Sequence, residues 1–255
     1  MHTINRRAVV TGLALVPIGT SARAGAPEQL GVDADEGGVA LTRYAGDKTG
    51  KRPTVLLLHG SRGFDLRPRA YQRYAEALAA KGVDAYFLRY YTAADAETIS
   101  RSSTREKREA YETGRFDRWA DRVSSVVTAI LARPDSSGRL GLLGFSLGGF
   151  VAAATAARDK RIDALAVLYG GMPDAMVSRV KHLPPLIELH GEADQNVPFA
   201  SGRELVKLGK SVGADAEQVA YPGKPHGFDF SDSDPATADA VSRVVGFFTA
   251  RLFAT

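Results

Sequence analysis

The stretch TVLLLHG at 54–60 constrains this chain more than any other, because it is apolar on consecutive residues and is closed by glycine. A strand with one wet face alternates apolar and polar side chains, whereas a continuous apolar run has to be covered on both faces. Further strand-like runs follow at 83–91 (VDAYFLRYY), 139–144 (RLGLLG), 163–169 (DALAVLY) and 185–191 (PLIELHG), with GVALTRYA (38–45) before them and EQVAYPG (217–223) after. Helical patterning lies between them. It runs over 69–82 up to Gly82, over 105–131 with a break point at Gly114, over 149–157 and over 201–212. A last helix carries Val241, Val244, Val245, Phe248 and Leu252 on one face at a 3.6-residue period. The alternation predicts an α/β fold, a mostly parallel central sheet with helices on both faces. Ligand sites of such sheets lie beyond the carboxyl ends of the strands, so the loops that follow the strands are where chemistry is expected.

Composition removes several function classes. The 255 residues contain no cysteine, which excludes disulfides, thiol nucleophiles and thiolate metal sites. The formal net charge is +4, and three of those four excess charges lie in residues 1–24, which hold Arg6, Arg7 and Arg23 and no acidic residue. Residues 1–24 open with Arg6 and Arg7, continue through an apolar stretch from Ala8 to Ile18 and reach the small-residue pattern Ala22-Arg23-Ala24. That is the layout of an export signal of twin-arginine type, too short in its apolar part to be a stable membrane anchor. Removing it leaves 30 basic residues against 29 acidic, a net of about +1, so nucleic-acid binding has no compositional support. The expectation is an exported, periplasmic or extracellular protein that meets the twin-arginine machinery only in transit. A linker is expected over 25–37 and one domain over 38–255.

The run at 139–144 feeds directly into Gly144-Phe145-Ser146-Leu147-Gly148. A serine between a strand and a helix, with glycine two positions to either side, fits a nucleophile elbow. The sharp turn leaves no space for side chains at the glycine positions, and it lifts the hydroxyl above the sheet. The Leu147 N–H at the helix start then faces a developing oxyanion. A serine hydroxyl needs a general base, and the base needs a third group to orient it. His59 and His190 each end a strand before glycine and read as structural hydrogen-bonding residues, and His182 reads as a solvated loop residue. His226, in the Pro/Gly loop YPGKPHGFDF after the last strand, is placed to reach over the strand ends. Asp194, in the loop after the strand ending at His190, is the expected acid, with Glu192 as rival and an Asx-turn as its alternative role. The second oxyanion donor is expected in His59-Gly60-Ser61-Arg62-Gly63, from the Ser61 N–H or alternatively the Arg62 N–H.

TVLLLHGSRGF, RLGLLGFSLGG, LIELHGEADQNVP and YPGKPHGFDF, in this order, resemble the dienelactone hydrolase family of the α/β-hydrolase superfamily, over about Pro53 to Phe253. The resemblance implies an α/β-hydrolase fold, no cofactor, no metal, and Ser146, Asp194 and His226 as the triad. Founding members carry cysteine where this chain has Ser146 and a glutamate at the position of Gly60. The chain thus reads as a serine esterase on that scaffold, acting on a small-molecule ester or lactone through an acyl-enzyme. Arg62 and Arg89 are the candidates for holding a substrate. A peptidase or acyltransferase with the same triad, or a non-catalytic binding protein on the same fold, are the alternatives. The fourteen or so residues between Tyr169 and Pro184 leave no room for a large cap domain. An open site is expected, roofed by the loop after Arg89 and by residues 101–115, with Tyr90, Tyr91 and Phe228 as walls.

Overall fold

The computed structural model describes residues 26–254 and a two-residue strand, β1 (Val16–Pro17), at the sheet edge. Apart from that strand, residues 1–24, expected to form an export signal, lie outside the described residues. The central strands are β4 (Arg52–Leu58), β5 (Asp84–Leu88), β6 (Ser136–Phe145), β7 (Ala164–Leu168), β8 (Leu186–Gly191) and β9 (Ala216–Tyr221). They pair in parallel in the order β5-β4-β6-β7-β8-β9. Antiparallel β3 (Val39–Tyr44) and β2 (Glu28–Val32) extend the β5 edge, and β1 adds to β2. Strand β2 lies inside the stretch expected to be a linker. Its Leu30 and Val32 alternate into the core at 3% exposure each, a period of two that is too short to stand out in the sequence.

The apolar run of β4 behaves as its composition requires. Val55 and Leu57 face one layer and Leu56 and Leu58 the other, and all four are fully buried. Each such side chain contributes about 1.5–3 kcal/mol relative to an exposed one. One layer is made by α1 (Pro68–Ala79) and α8 (Pro235–Leu252), through Tyr74, Leu78, Val244 and Phe248. The other is made by α4 (Phe116–Leu131), α5 (Leu147–Ala156) and α7 (Phe199–Ser211), through Trp119, Val123, Val151 and Leu205. The helical stretch 105–131 does break at Gly114, into α3 (Arg105–Thr113) and α4.

Helix α2 (Ala93–Arg101), not evident from the sequence, begins with a capping box between Thr92 and Asp95. Asp95 is fully buried and accepts from Tyr111 Oη (2.7 Å), Arg115 Nε (2.8 Å) and Trp119 Nε1 (3.1 Å), so one carboxylate ties α2, α3 and α4 together. Burial would raise this carboxyl, but the Thr92 amide, Tyr111 and Trp119 outweigh it and hold it at about 2. Asp95 thereby fixes α3 over the carboxyl ends of the strands. Between β7 and β8 there is only the four-residue α6 (Asp174–Val177), and among the described residues no large cap domain stands on the sheet. Among the described residues no helix is long and apolar enough to cross a membrane.

Candidate active site

The loops after β4, β6, β7, β8 and β9 meet at one edge of the sheet. Ser146 is the residue between β6 and α5, at φ 54° and ψ −121°, a conformation that costs a non-glycine residue of the order of 1–3 kcal/mol. The turn closes because Gly144 and Gly148 lack side chains. A Cβ at 144 would collide with the Gly148 carbonyl, and one at 148 with the Leu58 carbonyl. The surroundings hold the strain in place: Ser146 N–H donates to the Leu168 carbonyl at 2.9 Å, and Gly149 N–H to the Ser146 carbonyl at 2.8 Å.

His226 stands over this serine. Its Nε2 lies 3.0 Å from Ser146 Oγ, and its Nδ1 lies 2.7 Å from Asp194 Oδ2. The three residues are 48 and 32 positions apart in the chain (146 to 194, 194 to 226), so only the parallel sheet brings them together. Asp194 makes the contacts that both readings of it call for. Its Oδ1 accepts from the Asn196 and Val197 amides at 2.7 and 2.9 Å, closing an Asx-turn, and its Oδ2 is left for histidine. Burial would raise the Asp194 carboxyl, but donors from His190, His226 and the Val197 amide hold it below the usual carboxylate range. Glu192, the rival acid, is exposed.

The His226 loop is anchored from beneath. Buried Asp229 accepts from Tyr74 Oη at 2.8 Å and Tyr169 Oη at 2.9 Å, Arg73 donates to its backbone carbonyl, and the Tyr169 ring packs edge-on to His226 at 4.6 Å. Asp229 was missed in the sequence because it reads there as one more polar residue of an acidic loop.

A cleft of about 800 Å³ opens above Ser146. Ser61, Arg62 and Leu147 line it, and neither the Ser61 nor the Leu147 amide has a backbone partner among the described residues. Helix α3 forms the roof, as expected of residues 101–115, through Arg105, Arg108, Glu109 and Glu112. Arg105 also donates to the Asn196 carbonyl at 2.7 Å, tying the roof to the acid loop. Burial pushes Glu112 up to about 7, with Arg108 opposing the rise.

The second substrate-binding candidate and the expected wall residues lie elsewhere. Arg89 is committed to Asp65, donating at 2.9 and 3.1 Å, and it is not part of the cleft. Tyr90 and Tyr91 pack on His59 at 4.4 and 4.8 Å, and Phe228 stacks on Tyr221 at 4.3 Å. The apolar walls are Tyr71, Phe150, Tyr169, Met172, Met176 and Phe230. Tyr71, Phe150 and Met176 come from α1, α5 and α6, whereas Tyr169, Met172 and Phe230 lie in loops, which carry no period to read. His182 sits in the loop before β8, away from the cleft, as read. Among the described residues no group of three His, Asp or Glu side chains is placed to hold a metal ion.

The model of the dienelactone hydrolase family matches residues 41–252. No curated protein matches the chain. Among solved structures, the dienelactone hydrolase from Anabaena variabilis superposes with a TM-score of 0.70 at 22% identity, over 89% of this chain and 99% of that one. A cold-adapted esterase from an Arctic intertidal metagenomic library gives 0.70 at 18%, over 94% and 100%. The acylaminoacyl peptidase of Pyrococcus horikoshii gives 0.70 at 13%, over 90% of this chain but 42% of that longer one. At these identities the likeness is one of fold.

Proposed function

The chain belongs to the dienelactone hydrolase family of hydrolytic enzymes, and on that premise we propose that it is a serine hydrolase cleaving a carboxylic ester or lactone through an acyl-enzyme. The observation that carries this reading is His226, bridging Ser146 Oγ at 3.0 Å and Asp194 Oδ2 at 2.7 Å while Ser146 is held on its strained turn.

In the proposed reaction, Asp194 accepts Nδ1–H of His226 and so fixes the tautomer with a free Nε2 lone pair. Nε2 removes the Ser146 proton as Oγ attacks the carbonyl carbon. The oxyanion that forms is received by the Leu147 N–H at the start of α5 and by the Ser61 N–H. The C–O bond to the leaving group breaks, and His226 returns its proton to the departing oxygen. A water molecule then gives a proton to His226 and its oxygen to the acyl carbon. Collapse of the second tetrahedral species releases the acid and restores Ser146 Oγ–H. In this reading Arg62, one of the arginines lining the cleft, contacts the substrate.

Turnover of p-nitrophenyl acetate by the protein, lost by about 10⁴-fold or more in Ser146→Ala, is the expected result. No turnover, or equal turnover by the variant, would overturn the reading. Parallel p-nitroanilide and acyl-acceptor assays separate an esterase from a peptidase or acyltransferase. We further propose that residues 1–24 direct export. An N-terminus found near residue 25 on protein from outside the cytoplasm is expected, and full-length cytosolic protein would contradict it.

A further inference from the structure

Behind Asp194 lies a buried pair that the proposed reaction does not use. His190 and Glu188, on β8, both have fully buried side chains at 0% exposure. His190 Nδ1 lies 2.8 Å from Glu188 Oε1. His190 Nε2 lies 3.2 Å from Asp194 Oδ2 and 3.1 Å from the Val197 carbonyl. Burial pulls the Glu188 carboxyl up while His190, Gln218 and Gly170 pull it down. With Glu188 ionised, every oxygen facing the ring is an acceptor, whereas a neutral imidazole has one N–H for two such nitrogens. A neutral ring would turn a lone pair onto a carboxylate oxygen in a site without water exposure. The carboxylate at 188 is itself provided for. Gln218 Nε2 donates to Oε2 at 2.8 Å, the Gly170 backbone also bonds to it, and Gly202 of α7 leaves the space that a Cβ would take from it.

Asp194 Oδ2 therefore stands between two histidines, His226 on the reacting side and His190 on the buried side. We propose that His190 is a positioning residue held as an imidazolium by Glu188, and that its Nε2–H fixes Asp194 and partly offsets the charge Asp194 presents to His226. The proposal rests on the triad reading of Ser146, Asp194 and His226. Its consequence is kinetic. A carboxylate whose charge is partly offset binds the protonated form of His226 less tightly, so the general base stays free at lower pH. The pull toward the imidazolium form agrees in direction: burial alone would push His190 down, but the bonds to Asp194 and Glu188 and the Glu188 charge hold it up at about 9.

The charged and titratable groups facing His190 are Glu188 from its own strand and Asp194 from the loop before α7, with His226 reached through Asp194. Phe199 of α7 and Gln218 of β9 face the pair without charge. Around His226 itself stand Ser146, Asp194 and Tyr169, with Asp229 behind Tyr169, and Lys224 nearby in the same loop is paired to Asp234 at 2.6 Å.

The test is the pH profile of kcat/KM for p-nitrophenyl acetate in His190→Gln and in the double variant Glu188→Gln/His190→Gln. The double variant removes both charges but keeps hydrogen-bonding groups, and so guards against misfolding of the single one. In either, the acid limb is expected to move up by about one pH unit, an about tenfold loss on that limb, with KM little changed. An unmoved or lowered limb in a folded variant would overturn the proposal. An independent readout needs no activity: long-range ¹H–¹⁵N spectra of the wild-type imidazoles at pH 8 are expected to show His190 protonated at both nitrogens. A singly protonated His190 there would overturn it even if Ser146→Ala behaves as expected. A native His190 imidazolium in a protein without esterase activity would instead overturn the triad reading alone.

Discussion

The same tripeptide stands at the ends of two strands, Leu58-His59-Gly60 running out of β4 and Leu189-His190-Gly191 closing β8, and both histidines are buried beneath the cleft. Their chemistry is opposite. His59 is walled by aromatic rings: Tyr90 stacks on it at 4.4 Å, Phe64 and Tyr91 meet it edge-on at 5.0 and 4.8 Å, and its Nδ1 has only the Gly60 carbonyl, at 2.7 Å. Burial pushes it down to about 4, so it is neutral and braces the loop that carries Ser61. His190 has the same burial but two carboxylates, and it is held up at about 9. Desolvation acts on both rings alike. The carboxylates two residues before and four residues after His190, which His59 lacks, decide the sign.

The strongest way to break this comparison is at the link between His190 and the reacting serine. Asp194→Asn keeps the Asx-turn acceptor but frees Nδ1 of His226 to take the wrong tautomer. It is expected to lower kcat for p-nitrophenyl acetate by about 10⁴-fold, by analogy with the same change in serine proteases. An effect under tenfold would remove Asp194 from the mechanism.

Next in size is Glu188→Ala, which leaves the buried His190 facing Asp194 alone. Breaking one side of a buried pair costs about 3–5 kcal/mol, read as a lowered urea midpoint at pH 7. The sign with pH follows from linkage. His190 is held above its ordinary value of about 6.5. The stability it gives is therefore complete below pH 6.5 and is lost as pH rises through about 9. The cost of Glu188→Ala should shrink above pH 9, and a constant cost to pH 10 would show that the pair carries no charge.

The smallest effect is expected at His59→Phe. The aromatic cage accepts another ring, and the loss at pH 7 is about 1 kcal/mol for the missing Gly60 contact, with activity within tenfold. The wild-type folded state refuses a proton at His59 that the unfolded chain takes up below about 6.5. His59 thus subtracts stability as pH falls from 6.5 toward 4, and the variant should unfold less steeply over that range. Equal slopes in the two proteins would mean that His59 is charged when folded.

Much of this was legible in the sequence because it is local. A run such as TVLLLHG has to be buried on both faces, and Gly144 and Gly148 have to flank a turn that closes on itself. The positions of Asp194 and His226 after successive strands follow from parallel pairing, which stacks the loops at one edge. Strand β2 and helix α2 were not evident, since five residues of period two and a nine-residue helix rich in polar side chains give weak patterns. Arg89 shows another kind of miss. An arginine after a strand has the right place to meet a substrate, and only the folded chain reveals that Asp65 already occupies it.

What the sequence by itself determined is the order of buried strands and helices, the sharp turn at Ser146 and the strand-end loops that carry Asp194 and His226, because periodicity and glycine sterics act over a few residues. Only the tertiary structure decided that Asp194 and not Glu192 meets His226, that Phe230 rather than Phe228 lines the cleft, and that two identical Leu-His-Gly endings differ in charge. The contact of Asp194 with His226 joins side chains 32 residues apart at 2.7 Å, and even the near neighbours of His190 meet it only once the strand end is buried, so no local pattern encodes such distances.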